Sequence, residues 1–145
     1  MKIAIAADHG GYELKNVLLD YLTKKGHSVL NLGTDSSESV DYPDYAQSCC
    51  KEVVENRVDF GILVCGTGVG ISIAANKIDG IRCGLCPSKE IAALVKQHNN
   101  ANVIALGGRF TSNEEAMAIV DAYMSAQFEG GRHQNRVDKI MALEK

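Results

Sequence analysis

The most chemically loaded stretch of the chain is Cys65-Gly66-Thr67-Gly68-Val69-Gly70, which closes the apolar run Phe60 to Val64. A short apolar run that breaks into glycines reads as a buried strand, and Val69 to Asn76 reads as the helix that follows. The backbone N–H groups of such a turn converge on one point, suited to a phosphate or to the oxyanion of an enolate. A thiol beside a helix N-terminus is favoured as thiolate, which can act as base or nucleophile. The spacing Gly66-x-Gly68-x-Gly70 matches neither the dinucleotide fingerprint nor the phosphate loop with its lysine, so neither NAD nor ATP is implied. The competing reading is a glycine turn over an inert, buried cysteine.

Other groups can join this turn. Asp8-His9 supplies a carboxylate and an imidazole, and Thr67 a hydroxyl, which with Cys65 make a proton-transfer set suited to chemistry beside a carbonyl. Asp8 and His9 could instead form an Asx turn with a solvated imidazole. In Gly130-Gly131-Arg132-His133-Gln134-Asn135-Arg136, two arginines four apart share a helical face and can grip phosphate oxygens, or simply form a solvated basic turn. His98-Asn99-Asn100 ends a helix, near the amino edge of a parallel sheet, so a catalytic His98 would serve a neighbouring subunit's site. The four histidines (His9, His27, His98, His133) show no metal-ligand spacing, and no metal site is expected.

Positioning these groups requires alternating strands and helices. Lys2 to Ala7 is strand one. Leu14, Val17, Leu18, Tyr21 and Leu22 form a helical stripe that Gly26 ends. Ser28 to Leu32 is strand two, Pro43 opens a helix to about Glu55, Phe60 to Val64 is strand three, and Ile81 to Leu85 strand four. Ser88 caps a helix Lys89 to Gln97, and Val103 to Leu106 is strand five. Ser112 and Glu115 form a capping box for a helix with Ala116, Ile119, Val120 and Tyr123 on one face, and a last helix carries Val137, Ile140 and Met141. Five strands alternating with helices predict a doubly wound α/β fold, with ligands bound beyond the carboxyl ends of the strands. The turns Asp8 to Gly11, Cys65 to Gly70 and Gly107-Gly108-Arg109 all fall there.

Composition narrows the function further. The chain has 145 residues, 46% of them hydrophobic, which fits one domain spanning residues 1–145. A net charge of −3 with no Trp and no basic tail argues against a nucleic-acid surface and for a small anion held by local Arg and His. No segment reads as a membrane span or leader, and the expected location is cytoplasmic. Five cysteines, an odd number scattered through apolar segments, argue against a disulfide framework. Cys83-x-x-Cys86 has redox spacing, but it follows Ile81-Arg82 in an expected buried strand, and no second pair completes a zinc site.

The blocks Asp8-His9-Gly10-Gly11, Gly33-Thr34, Asp41-Tyr42-Pro43, Cys65 to Lys77, His98-Asn99 and Glu129 to His133 with Arg136, taken in this order, closely resemble the type B ribose-5-phosphate isomerases of the ribose/galactose isomerase family. The resemblance spans nearly the whole chain. It implies a Rossmann-like three-layer α/β/α sandwich with a five-stranded parallel sheet in the order 2-1-3-5-4, and a homodimer or dimer of dimers with a site shared between subunits. It implies no metal and no organic cofactor. The implied reaction interconverts ribose 5-phosphate and ribulose 5-phosphate through a cis-enediolate, in the non-oxidative pentose phosphate pathway.

By the same resemblance, Cys65 is the base that moves a proton between C1 and C2. Thr67 and the amides of Gly66, Gly68, Val69 and Gly70 stabilise the enediolate, and Asn99 contacts sugar oxygens. His98 opens the furanose ring with Asp8 and Tyr42, while His9, Arg109, Arg132 and Arg136 hold the phosphate. Another branch of the family places a glutamate after the glycine loop, where this chain has Ala74 and Ala75. Alternatives are an isomerase of allose 6-phosphate or galactose 6-phosphate, a non-catalytic sugar-phosphate-binding module, and a thiol-redox protein. Galactose-type relatives divide the site groups between two different subunits, whereas here all of them lie in one chain.

Overall fold

Strand β1 (Lys2–Ala7) is buried on both faces from Ile3 onward, as a continuous apolar run demands. It leads through the turn Asp8 to Gly11 into helix α1 (Tyr12–Lys24), whose inward stripe Leu14, Leu18 and Leu22 packs on the sheet. The computed structural model describes residues 1–144, so the end of the expected domain, Lys145, lies outside the described residues. The chain continues as β2 (Ser28–Asn31), α2 (Tyr42–Val54), β3 (Phe60–Cys65), α3 (Val69–Asn76) and β4 (Cys83–Leu85). It ends with α4 (Lys89–Gln97), β5 (Val103–Gly107), α5 (Asn113–Ser125) and α6 (Arg132–Met141).

The five strands pair in the order β2-β1-β3-β5-β4 and every neighbouring pair is parallel. One apolar layer joins α1, α4 and α5 to the sheet and includes Leu18, Ile62, Leu106, Ile119 and Tyr123. The opposite layer joins α2 and α3 and includes Cys49, Leu63, Ile71 and Val103. Truncating a fully buried residue such as Leu18 to Ala costs about 2–5 kcal/mol in such a core.

Local rules set the element ends. Ser112 Oγ accepts from the Glu115 amide at 3.1 Å and the Glu115 carboxylate accepts from the Ser112 amide at 3.2 Å, the expected capping box. Ser88 Oγ likewise accepts from the Ile91 amide and starts α4. Helix α2 begins at Tyr42, one residue before Pro43, because Asp41 holds the extended N-cap conformation. The expected strand from Ile81 starts at Cys83 instead. The Arg82 amide donates to the Asn102 side chain, and Asn102 Nδ2 donates to Gly80 O, so side-chain bonds replace the first ladder positions. Strand two ends at Asn31, one residue short of the expected Leu32, whereas strands three and five each run one residue further, to Cys65 and Gly107.

Lys15 is fully buried and charged, and it ties the loop after β2 to α1. Its Nζ donates to Asn31 Oδ1 at 2.8 Å and to Asp35 Oδ1 at 2.6 Å. The Asp35 carboxyl is held below its ordinary pKa by these hydrogen bonds, from Lys15 first and then Asn31.

Candidate active site

The strand order reverses beside β1 and β3, and the turns leaving their carboxyl ends meet there. The Asp8 amide donates to Val64 O at 3.2 Å. A methyl group on Gly10 would come within 3.2 Å of the Gly66 backbone and 3.3 Å of Arg109 Nη2. On Gly66 it would meet Arg109 Nη1 at 2.9 Å. The Arg109 guanidinium therefore lies against both glycine turns, with the positive charge that a phosphate or carboxylate needs.

Cys65 ends β3 and is 4% exposed, so its sulfur forms the floor of the turn. Sγ accepts a hydrogen bond from the Gly68 amide at 3.2 Å. Gly68 has φ +79°, and a Cβ there would lie 2.7 Å from Leu85 and 2.8 Å from the Leu106 backbone, so only glycine fits. Thr67 is exposed, and its Oγ1 accepts from the Val69 amide at 3.1 Å, which leaves the hydroxyl hydrogen free to donate outward. Of the expected oxyanion amides, those of Gly68 and Val69 are thus already engaged. The amides of Gly66, Thr67 and Gly70 carry no such partner among the described residues and form the open cradle at the start of α3.

Tyr42, at the start of α2, lies over Gly70, where an added Cβ would sit 2.6 Å from its ring. Asp8 is buried, and its Oδ1 accepts from the Gly10 amide at 2.9 Å. The Asx turn weighed from the sequence is therefore present, and it shapes the loop that carries His9. His9 is not freely solvated: its Nδ1 accepts from the Val40 amide at 3.2 Å, which places the ring hydrogen on Nε2.

The remaining candidates gather elsewhere. His98 caps the C-terminus of α4, and the loop Asn99 to Asn102 leads into the amino end of β5. The Glu129 amide donates to Gln97 O, which brings the start of α6 with Arg132 and Arg136 to the same end. Both arginines are exposed. Strand β5, at about 3.3 Å per residue, separates this group from the Cys65 turn. One subunit thus brings together Asp8, His9, Tyr42, Cys65, Thr67 and Arg109, and separately His98, Asn99, Arg132 and Arg136.

Around His98 the structure reveals neighbours that the sequence reading did not assign. The His98 and His133 rings stack at 4.3 Å with planes 9° apart, and Glu129 Oε1 lies 3.8 Å and 3.5 Å from their Nε2 atoms. The one available signal was the four-residue spacing of Glu129 and His133. Nearly parallel rings have lone pairs that run side by side, so no single ion can lie in both ring planes. Desolvation, then the facing His98 and Arg132, hold His133 below its ordinary pKa.

The redox spacing at Cys83 and Cys86 acquires no chemistry. Cys86 Sγ donates to Gly84 O at 3.5 Å, and burial pushes its thiol up to about 12. Burial raises Cys83 as well, although it sits half-buried on the edge strand and not in the sheet interior.

A thiol held at the sheet's switch point, with an anion cradle on one side and an arginine on the other, defines a doubly wound α/β protein built to act on a small anionic ligand. The model of the Ribose/Galactose Isomerase family matches residues 3–140, and the chain belongs to that family. It is 51% identical over 143 residues to ribose-5-phosphate isomerase B of Escherichia coli, covering 99% of this chain and 96% of that one. It superposes with a TM-score of 0.96 on the ribose 5-phosphate isomerase of Thermotoga maritima, at 51% identity over 98% of both chains. The Mycoplasma genitalium ribose-5-phosphate isomerase B with bound ribulose-5-phosphate gives a TM-score of 0.95 at 46% identity, over 99% of this chain and 95% of that one. The expected fold and strand order are those observed.

Proposed function

We propose that the chain is an aldose-ketose isomerase interconverting D-ribose 5-phosphate and D-ribulose 5-phosphate. The observation that carries the reading is the Cys65 sulfur, held by the Gly68 amide between an open amide cradle and Arg109, in a chain similar along its length to such isomerases. The Cys65 thiolate removes the proton from C2 of the open-chain aldose. The electron pair becomes the C1–C2 double bond, and the charge moves to O1, where the Thr67 hydroxyl and the amides of Gly66 and Gly70 receive it. The thiol then returns the proton to C1 while the O2 proton passes to O1, leaving a carbonyl at C2. No net proton, electron or water is consumed.

His9 and Arg109 bind the phosphate from the Cys65 side. His98 opens the ring and Asn99 holds sugar oxygens, with Arg132 and Arg136 closing on the phosphate; this second group comes from the neighbouring subunit of a homodimer. The support for that arrangement is the placement of the two groups at opposite ends of one sheet. Asp8 shapes its turn, and Tyr42 covers the sugar over Gly70. We further propose that the chain works as a single isomerase domain without a cofactor in the cytoplasm, in the non-oxidative pentose phosphate pathway; among the described residues no helix is long and apolar enough to cross a membrane.

The test is isomerisation of ribose 5-phosphate by the purified protein in EDTA, run beside allose 6-phosphate and galactose 6-phosphate. Dominant turnover of the pentose supports the reading. Preference for a hexose phosphate replaces the substrate, and turnover of none leaves a binding module.

A further inference from the structure

We infer that Arg82 is a positioning residue that fixes the orientation of His98 and Asn99; the inference rests on the isomerase reading above. Arg82 directly precedes β4, and its guanidinium reaches under the end of α4. Nε lies 3.2 Å from Asn99 O and 3.1 Å from Asn100 O, and Nη2 donates to Asn100 O at 2.8 Å. Nη1 lies 3.2 Å from Met141 Sδ on α6. One planar group therefore touches both segments that carry the second half of the site, the His98–Asn99 corner and the helix that bears Arg132 and Arg136.

The corner needs such a clamp. Asn100 has φ +45°, in the left-handed region that side chains rarely adopt, so the chain turns sharply directly after the two functional residues. The last four carbonyls of α4 already accept from the amides of His98, Ala101, Asn100 and Glu129, so Arg82 acts on the two carbonyls just beyond the helix, where its cation also opposes the helix dipole. The backbone of Arg82 is itself anchored by the Asn102 side chain at 2.8 Å, so the clamp is referenced to the sheet. A lysine carries one point charge and cannot span the two carbonyls and the α6 contact together.

Arg82→Lys and Arg82→Gln test this through two rates of the full-length enzyme. One is net isomerisation of ribose 5-phosphate, which exists as a closed ring and needs His98. The other is deuterium uptake at C1 of ribulose 5-phosphate in D2O at saturating substrate, which needs Cys65 and the enediolate cradle but no ring opening by His98, because the esterified C5 oxygen keeps that ketose open. Displacing His98 lowers isomerisation by about tenfold to a hundredfold while exchange stays within about twofold of the parent. Thermal melts and circular dichroism report whether each variant is folded. A proportional fall in both rates, unchanged isomerisation, or loss of the folded state in both variants assigns Arg82 to the scaffold and overturns the inference. A parent enzyme with neither rate would instead defeat the isomerase reading, and the positioning role with it.

Discussion

The Gly68 amide donates to the Cys65 sulfur across 3.2 Å, three residues on in the chain and at the mouth of α3. The bond points an N–H at the atom proposed to carry negative charge, and the helix N-terminus adds a favourable field. It also orients Sγ toward the cradle left by Gly66, Thr67 and Gly70. Replacing Cys65 by Ala removes the base and leaves the cradle and Arg109 in place. Isomerisation should fall by about 10²–10⁴-fold while ribose 5-phosphate still binds, measured by steady-state rates and calorimetry. Near-normal turnover would remove Cys65 from the mechanism.

The separation of the two residue groups makes complementation possible. Cys65→Ala spoils one half-site and His98→Ala the other, so each homodimer has no intact site. After subunit exchange, half of the randomly re-formed dimers carry one intact site of two, and activity should return to about a quarter of the parent value. No recovery after demonstrated exchange would require each subunit to complete its own site.

Arg132 and Arg136 sit on adjacent turns of α6, both exposed. Their proposed contacts are with a phosphate remote from the reacting carbons, so their loss should act first on KM. Each change to Ala should remove about 1.5–3 kcal/mol of binding, roughly a 10- to 160-fold rise in KM, with kcat less affected. Unchanged KM in both variants would exclude them from the phosphate site.

Burial raises the thiol pKa of Cys49 and Cys83, and takes Cys50 and Cys86 to about 12 from an ordinary 9.0. Alkylation of the folded protein near pH 8 should therefore be slow at these four positions, read by peptide mass mapping. In the unfolded chain the same thiols lose protons near pH 9, so between about 9 and 12 the native state binds more protons. Stability present below pH 9 is then lost as pH rises, by up to about 1.4 kcal/mol per pH unit for each thiol. Melting temperature should decline steeply across that window, and a flat profile would contradict the burial-driven shifts.

Much was legible in the sequence because it depends on local chemistry. Apolar runs bounded by glycine marked β1 and β3, the Ser112 and Glu115 pair marked the start of α5, and the Cys65 turn marked itself by its residue types. Glycine at 68 is required by a positive φ and by Leu106 pressing on the turn, but its effect, an amide aimed at sulfur, already belonged to the strand-turn-helix pattern. The start of β4 was not legible, since the bonds that displace it come from Asn102, twenty residues further on. Nor was the stack of His98 on His133, or the reach of Arg82 to Asn99, Asn100 and Met141. Sequence alone determined which groups exist and which turns expose them, because helix, strand and turn preferences act over a few residues. Only the tertiary structure decided which side chains meet, Arg109 against Gly66, His98 against His133 and Arg82 beneath Asn99 and Asn100, because such contacts join residues far apart in the chain.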